Sequence, residues 1–373
     1  MEKSMDHQMV NSLTGLLAQG VTKGVFPGAA AAVSWGSGSG RRRSIAVAGI
    51  KDKRYPDELI KKDTFFDLAS LSKALSTTLV LYSLVDEKKL VLEDTLQTIL
   101  NREIIKDKQL ITVRQLLSHS SGLVSYKPYF QSFAPEITKE NKELLLKRIL
   151  IDKLEYESET DCRYSDPGFI LLGHIVEVLT GNDLQINFKE RITNPLGLSK
   201  DIFYLPITTG STVNAKMYAA TEECPWRGRI MRAEVHDENC WIMNGVCGHA
   251  GLFGNIKGVL SLCETILDQW KGKGKNCSWG GMLKQGLQKQ YSNKTWCLGF
   301  DSPSVLESSA GNYISSKSVG HLGYAGTSFW IDPEKDLVMV LLTNRVHPTR
   351  DNTKIRQFRP YFHNQIIKKL IEL

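Results

Sequence analysis

Apolar residues recur at helical spacing from the start of the chain. Val10, Leu13, Leu17 and Val21 fall three or four positions apart, which predicts an amphipathic N-terminal helix. The period then changes. PGAAAAVSW and SIAVAGI are strand-sized apolar runs on either side of the loop GSGSGRRRS, and together they predict an antiparallel hairpin. From Ser70 helical spacing returns, and ALSTTLVLYSLVDEKK is apolar almost all round, as expected of a buried helix. ITVRQLLSHSSGL predicts a short helix ended by Gly122, and residues 136–150 predict an amphipathic one. DPGFILLGHIVEVLTG carries both ends of a helix, with Pro167 in its first position and Gly181 beyond its last turn. The middle third is rich in loops, with helical pieces such as GVLSLCETILDQW. Past about residue 286 strand signals come back in WCLGFD, SVGHLGYAGTSFWID and DLVMVLLTN, before a closing helix in DNTKIRQFRPYFHNQIIKKLIEL.

Strands at both ends with helices between them predict one α/β (α+β) unit over residues 1–373. It divides into a discontinuous sheet subdomain of about 1–68 and 287–373, holding a helical subdomain of about 69–286. No stretch approaches the ~20 apolar residues that cross a bilayer, so no membrane span is expected. MEKSMDHQMVNSLTGLLAQGV lacks the long apolar core of a signal peptide. The seven cysteines are odd in number and form no C-x-x-C, so they signal neither a disulfide framework nor a zinc site. Both features point to the cytoplasm. The net charge of +7 is spread along the chain. The run Arg41-Arg42-Arg43 reads as a solvated loop, and without basic residues interleaved with aromatics a nucleic-acid partner is not expected.

Three places could carry chemistry. Ser70 and Lys73 lie three apart on one helix face. A lysine in an apolar setting loses its proton more readily, and a neutral amine beside a hydroxyl is a base beside a nucleophile. The spacing alone fits a snorkelling lysine on an ordinary helix equally well. Ser70 also opens the buried helix, where free N–H groups and the dipole favour developing negative charge. Tyr164 and Asp166, two residues apart before a helix, can enter one cleft together, although Asp166 before Pro167 is also a good helix cap. His321 lies among Gly320, Gly323 and Gly326 in a strand pattern, where glycine allows another backbone or a ligand to come close. Weaker candidates are His236, Asp237, Glu238 and His249. They lack the helical spacing of a metal site and read as a loop-bracing hydrogen-bond network. His119 is placed to cap a helix end. Arg345 can meet a substrate carboxylate or be an exposed strand-end charge.

With those residues in view, the chain resembles the serine β-lactamase and penicillin-binding protein superfamily, in its class C-like branch. Ser70-Leu71-Ser72-Lys73, Tyr164-Ser165-Asp166 and His321-Leu322-Gly323 follow the order and rough spacing of that family's three sequence elements. LLSHSSGL, EVHDENCW, GHAGLFG and GTSFWIDPE look similar too, so the likeness runs from about residue 25 to 365. It implies the DD-peptidase/β-lactamase-like fold, an antiparallel sheet flanked by helices with a mostly helical second part, and a serine hydrolase working through an acyl-enzyme without cofactor or metal. Carried over by position, Ser70 would be the nucleophile, Lys73 its base and Tyr164 the relay to the leaving group. The N–H groups of Ser70 and Tyr324 would form the oxyanion hole. His321 stands where many β-lactamases have lysine, and Asp166 replaces the commoner asparagine. Both departures disfavour efficient β-lactam hydrolysis. They favour a substrate with an amine or a neutral amide near the scissile bond. The expected substrate is a small molecule or peptide, an amide or ester related to the cell wall, and the expected enzyme a D-amino-acid peptidase or amidase. The alternatives are a class C-like β-lactamase, a small-ester esterase, or a penicillin-binding module without turnover.

Overall fold

Five strands from the two ends of the chain make the main sheet, in the order Arg42–Gly49, Gly28–Trp35, Leu337–Thr343, Ser328–Asp332 and Val319–Leu322, all antiparallel. The computed structural model describes residues 2–100, 104–138, 140–208, 213–274 and 276–372. Leu337–Thr343 is central and wholly buried, so it reads as a continuous apolar run rather than an alternating one. Period 2 survives in the two cores it separates. Val338, Val340 and Leu342 face one core with Ala30 and Ala32, while Leu337, Met339 and Leu341 face the other with Ala29, Ala31 and Val33. The second core is closed by Met9, Leu13 and Leu17 of the helix Glu2–Thr22 and by Phe358, Phe362 and Ile366 of the terminal helix Ile355–Glu372. On the other face the helix Ile256–Trp270 crosses the sheet and leads to the helical body.

The arginine run is not the solvated loop expected. Arg41 binds Asp268 through both terminal nitrogens at 2.7 and 2.5 Å, and Arg43 binds both oxygens of Glu264 at 2.7 Å. Two bidentate pairs therefore pin the hairpin to the helix Ile256–Trp270. WCLGFD also differs from its strand expectation. Only Asp301 of this stretch bridges a strand, exchanging both backbone hydrogen bonds with Gly320 at the sheet edge. Gly320 is needed because a Cβ there would lie 2.2 Å from the Phe329 carbonyl and 2.5 Å from the Trp330 ring. The neighbour that comes close is the protein's own.

Two further features position the cleft. A small sheet joins Phe66–Asp67 and Ile202–Tyr204 to the two edges of Leu252–Gly254. It ties the segment before Ser70 to the loop 247–251. The helix that follows is α-helical over Leu79–Asp86 but π-helical over Lys73–Thr78, and residues 71–84 are all buried. Such bulges occur often at functional sites. No helix among the described residues is long and apolar enough to cross a membrane.

Candidate active site

Ser70 sits at the end of a constrained turn. Asp67, buried at the end of its strand, accepts from Ala69 N at 2.8 Å and from His236 N at 2.7 Å. Ala69 has φ of +48°, a left-handed conformation that a residue with a Cβ adopts only when its surroundings impose it. The Asp67 carboxylate supplies that constraint. Burial raises the Asp67 pKa, opposed by these backbone donors and by His236. Ser70 then presents its hydroxyl to a cleft of about 520 Å³, a volume suited to a small ligand.

Lys73 and Tyr164 both meet that hydroxyl. Lys73 Nζ donates to Ser70 Oγ at 3.0 Å and to the His249 carbonyl at 2.9 Å, and Tyr164 Oη donates to Ser70 Oγ at 2.7 Å. The ammonium also lies 4.8 Å from the Tyr164 ring centroid. Asp166 completes the group, with Oδ1 in an ion pair with Lys73 Nζ at 2.7 Å. It is not the helix cap that its sequence position allowed. Ser165 takes that role, its hydroxyl accepting from Gly168 N at 3.1 Å, and Asp166 opens the helix Asp166–Thr180.

The ion pair overturns the expectation of an easily deprotonated lysine. Burial lowers the Lys73 pKa, but Asp166 and then Tyr164 outweigh it and hold the amine protonated, above its ordinary value. Burial and Asp166 push the Tyr164 hydroxyl up to about 12, against the pull of Lys73. The resting group is therefore an ammonium, a carboxylate and a neutral phenol around a serine. Gly248 allows this approach, because a Cβ there would stand 1.9 Å from the Phe169 carbonyl on the Asp166 helix.

On the opposite wall, His321 Nδ1 lies 2.9 Å from the Leu322 carbonyl, so Nδ1 carries the proton and donates. Nε2 is left as a buried acceptor without a partner among the described residues. Burial, then the charge of Lys73, pushes the His321 pKa down to about 3. A neutral acceptor thus stands where the resemblance has a cationic donor. Gly323 follows, wedged between Thr327 and the Leu68 carbonyl. The N–H groups of Ser70 and Tyr324 both belong to cleft-lining residues, and neither donates to any acceptor among the described residues.

Arg345 is no exposed strand-end charge. It is buried, and it donates from Nε to the Tyr324 carbonyl at 2.8 Å and from Nη1 to the Arg350 and Asn352 carbonyls at 2.8 Å each. Its guanidinium also stacks on the half-exposed Tyr324 ring at 4.6 Å. It braces the loop through Nε and Nη1, and it also lines the cleft beside Tyr324.

The weaker histidines and acids pair among themselves. His249 Nε2 meets Asp237 Oδ1 at 2.9 Å, and His236 Nε2 meets Glu222 Oε2 at 2.9 Å. Arg350 bridges Glu222 and Glu238. Burial lowers the His249 pKa, but Asp237 more than offsets it and holds the ring at about 10. The arrangement fixes the loop whose His249 carbonyl receives Lys73. His119 does not cap carbonyls with its ring. Its Nδ1 accepts from Ser165 N at 3.1 Å, and the ring stands 4.9 Å from Tyr164. It also occupies the left-handed position at the end of the helix Val113–Leu117, a turn earlier than Gly122. Asp67, Trp296 behind Tyr164 and Arg359 were not singled out from the sequence. The run Asp67-Leu68-Ala69-Ser70 offered one signal, a carboxylate three residues before the candidate nucleophile.

A model of the Beta-lactamase family matches residues 13–360. The chain belongs to the beta-lactamase family. The N-acetylmuramyl-L-alanine amidase of Bacillus subtilis (strain 168) is 32% identical over 351 residues, covering 86% of this chain and 78% of that protein. A putative D-alanyl-D-alanine carboxypeptidase of Escherichia coli (strain K12) is 30% identical over 313 residues, covering 78% of this chain and 71% of its own. Among solved structures, EstCE1, a hydrolase with promiscuous acyltransferase activity, superposes with a TM-score of 0.73 at 20% identity, over 95% of this chain and 99% of that one. This family member has the antiparallel sheet and flanking helices of the β-lactamase and penicillin-binding protein fold, and it is a serine hydrolase of amide or ester bonds.

Proposed function

We propose that the protein cleaves an amide bond in a cell-wall-derived muropeptide through an acyl-enzyme on Ser70. The observation that carries this reading is the meeting of Lys73 Nζ and Tyr164 Oη on Ser70 Oγ, in a cleft also lined by Tyr324, where the N–H groups of Ser70 and Tyr324 have no acceptor among the described residues. In this reading Lys73 must first pass its proton to Asp166, against the resting preference of the ion pair, and the neutral amine then takes the proton of Ser70 as Oγ attacks the substrate carbonyl. The carbonyl oxygen becomes an oxyanion held by Ser70 N and Tyr324 N, and one such donor is worth about 3 kcal/mol of barrier. Tyr164 protonates the leaving nitrogen and is reprotonated through Lys73. Water then attacks the acyl-enzyme and the same groups run in reverse. The substrate lies between the sheet subdomain (1–68 and 287–373) and the helical subdomain (69–286).

Two features favour an amidase over a carboxypeptidase. The unpaired Nε2 of His321 accepts a hydrogen bond and repels a carboxylate, so it suits an amide N–H or a hydroxyl beside the scissile bond. The relative of 32% identity, named as acting between N-acetylmuramic acid and L-alanine, supports the same bond. We place the enzyme in the cytoplasm, in recycling rather than defence. The buried free thiols of Cys162, Cys224, Cys240, Cys247, Cys263 and Cys297 fit a reducing compartment. Incubation with N-acetylmuramyl-L-alanyl-D-glutamate and, separately, with a peptide ending in D-alanyl-D-alanine tests the reading by mass spectrometry of products. Release of free N-acetylmuramic acid supports it. Release of D-alanine alone would replace it with the carboxypeptidase.

A further inference from the structure

Arg359 carries a charge that no acid answers. It lies on the terminal helix, 7% exposed, at the wall of the cleft. Its Nη2 donates to the Gly323 carbonyl at 2.6 Å and to the Thr327 carbonyl at 2.9 Å. Its Nε is buried and has no partner among the described residues. No carboxylate forms an ion pair with it among the described residues, and its charged neighbour is another arginine, Arg345. A buried charge without a counter-ion is expensive. Packing in a helix would be served as well by methionine or leucine, so the arginine calls for a reason beyond packing.

The reason lies in the peptide that it touches. The Gly323 carbonyl and the Tyr324 N–H are two ends of one planar trans unit, so they point in opposite directions. Arg359, together with Gly326 N at 3.0 Å, holds the carbonyl end inside the protein, which turns the N–H end toward the cleft. Arg345 holds the next carbonyl, that of Tyr324, at 2.8 Å. Gly323 itself cannot shift to make room for a side chain, because a Cβ would lie 1.9 Å from Thr327 Oγ1 and 2.8 Å from the Leu68 carbonyl. A cation bonded to an amide oxygen also polarises the amide and strengthens its N–H as a donor. The fixed positive charge then stands behind the place where negative charge develops during acyl transfer.

We propose that Arg359 is a positioning residue for acyl transfer, which orients and polarises the Gly323–Tyr324 peptide so that its N–H stabilises the oxyanion. The inference rests on the reading of Ser70 as nucleophile facing that N–H. The oxyanion, when it forms, supplies the negative charge that the resting fold withholds from Arg359.

The test compares wild type, Arg359→Met and Arg359→Gln by kcat and KM on a nitrophenyl ester. Alongside it, affinity is measured for an acyl boronic acid, which forms a tetrahedral anion on a catalytic serine. Arg359→Met should lose about 10- to 100-fold in kcat with KM within twofold, and boronate affinity should fall by the same factor. Arg359→Gln keeps a donor without the charge and should lose less on both measures, in parallel. If Arg359→Met does not fold, Arg359→Gln alone carries the test. Folded variants with kcat and boronate affinity both unchanged overturn the proposal, as does a loss confined to KM. A wild-type protein that neither cleaves the ester nor takes the boronate on Ser70 overturns the reading of the site itself, a result distinct from an unaffected Arg359 variant.

Discussion

Replacing Lys73 by methionine tests the ion pair beneath the site through stability rather than activity. The Lys73 side chain is wholly buried and that of Asp166 is 15% exposed. At 2.7 Å their attraction is about 6 kcal/mol with an effective dielectric of about 20. The desolvation of two ions offsets most of this, so the intact pair contributes little over a well-packed apolar pair. Removing one member is different, because a stranded buried charge costs about 3–5 kcal/mol. Asp166 retains some contact with the cleft and can be hydrated there, so Lys73→Met is expected to lose about 3 kcal/mol. With an unfolding entropy of about 2 cal/mol/K per residue, this lowers the Tm of a 373-residue chain by about 4 °C. Asp166→Asn strands the fully buried lysine and should lose a similar amount. The double variant Lys73→Met/Asp166→Asn should return to within about 1 kcal/mol of wild type. Thermal and urea unfolding of all four proteins at pH 7 measure the cycle. Single losses that simply add in the double variant would refute the coupling and the ion pair with it.

Two further outcomes follow from the cleft walls. His249 is held at about 10 against about 6.5 in an unfolded chain, so its contribution to stability is complete below pH 6.5 and is lost as pH rises toward 10. His249→Gln should therefore be less stable than wild type at pH 6, and the gap should close by pH 10; a gap independent of pH would show that the fold does not raise the His249 pKa, and a gap that widens would show the ring held neutral. His321→Lys exchanges an acceptor for a cationic donor and should raise kcat/KM about tenfold for esters with a carboxylate beside the scissile bond, relative to neutral ones. An unchanged ratio would show that residue 321 does not face the substrate.

What the sequence made visible follows the range of the interactions. Ser70 and Lys73 are legible because helical spacing alone brings residues three apart together. The hairpin and the central strand are legible because their apolar periods survive in the two cores. Asp166 was ambiguous because an acid before Pro167 suits a helix cap as well as a cleft. Ser165 took it, which left the carboxylate for Lys73. Asp67 and Arg359 were hidden because their partners are set by tertiary folding. The amide that Asp67 receives from His236 comes from 169 positions away, and the carbonyl that Arg359 holds lies 36 positions before it. The arginine run misled for the same reason, since its acids lie on a helix more than 200 residues further along. WCLGFD has a strand's composition, but its Trp296 stands against the Tyr164 and His119 rings.

Intact mass spectrometry after brief exposure to an activated ester tests the central claim most directly, with wild type and Ser70→Ala run side by side. One acyl adduct is expected on wild type and none on Ser70→Ala, with the variant's thermal midpoint nearly unchanged. An adduct on both proteins, or on neither while both are folded, would contradict the assignment of Ser70 as the acylated residue.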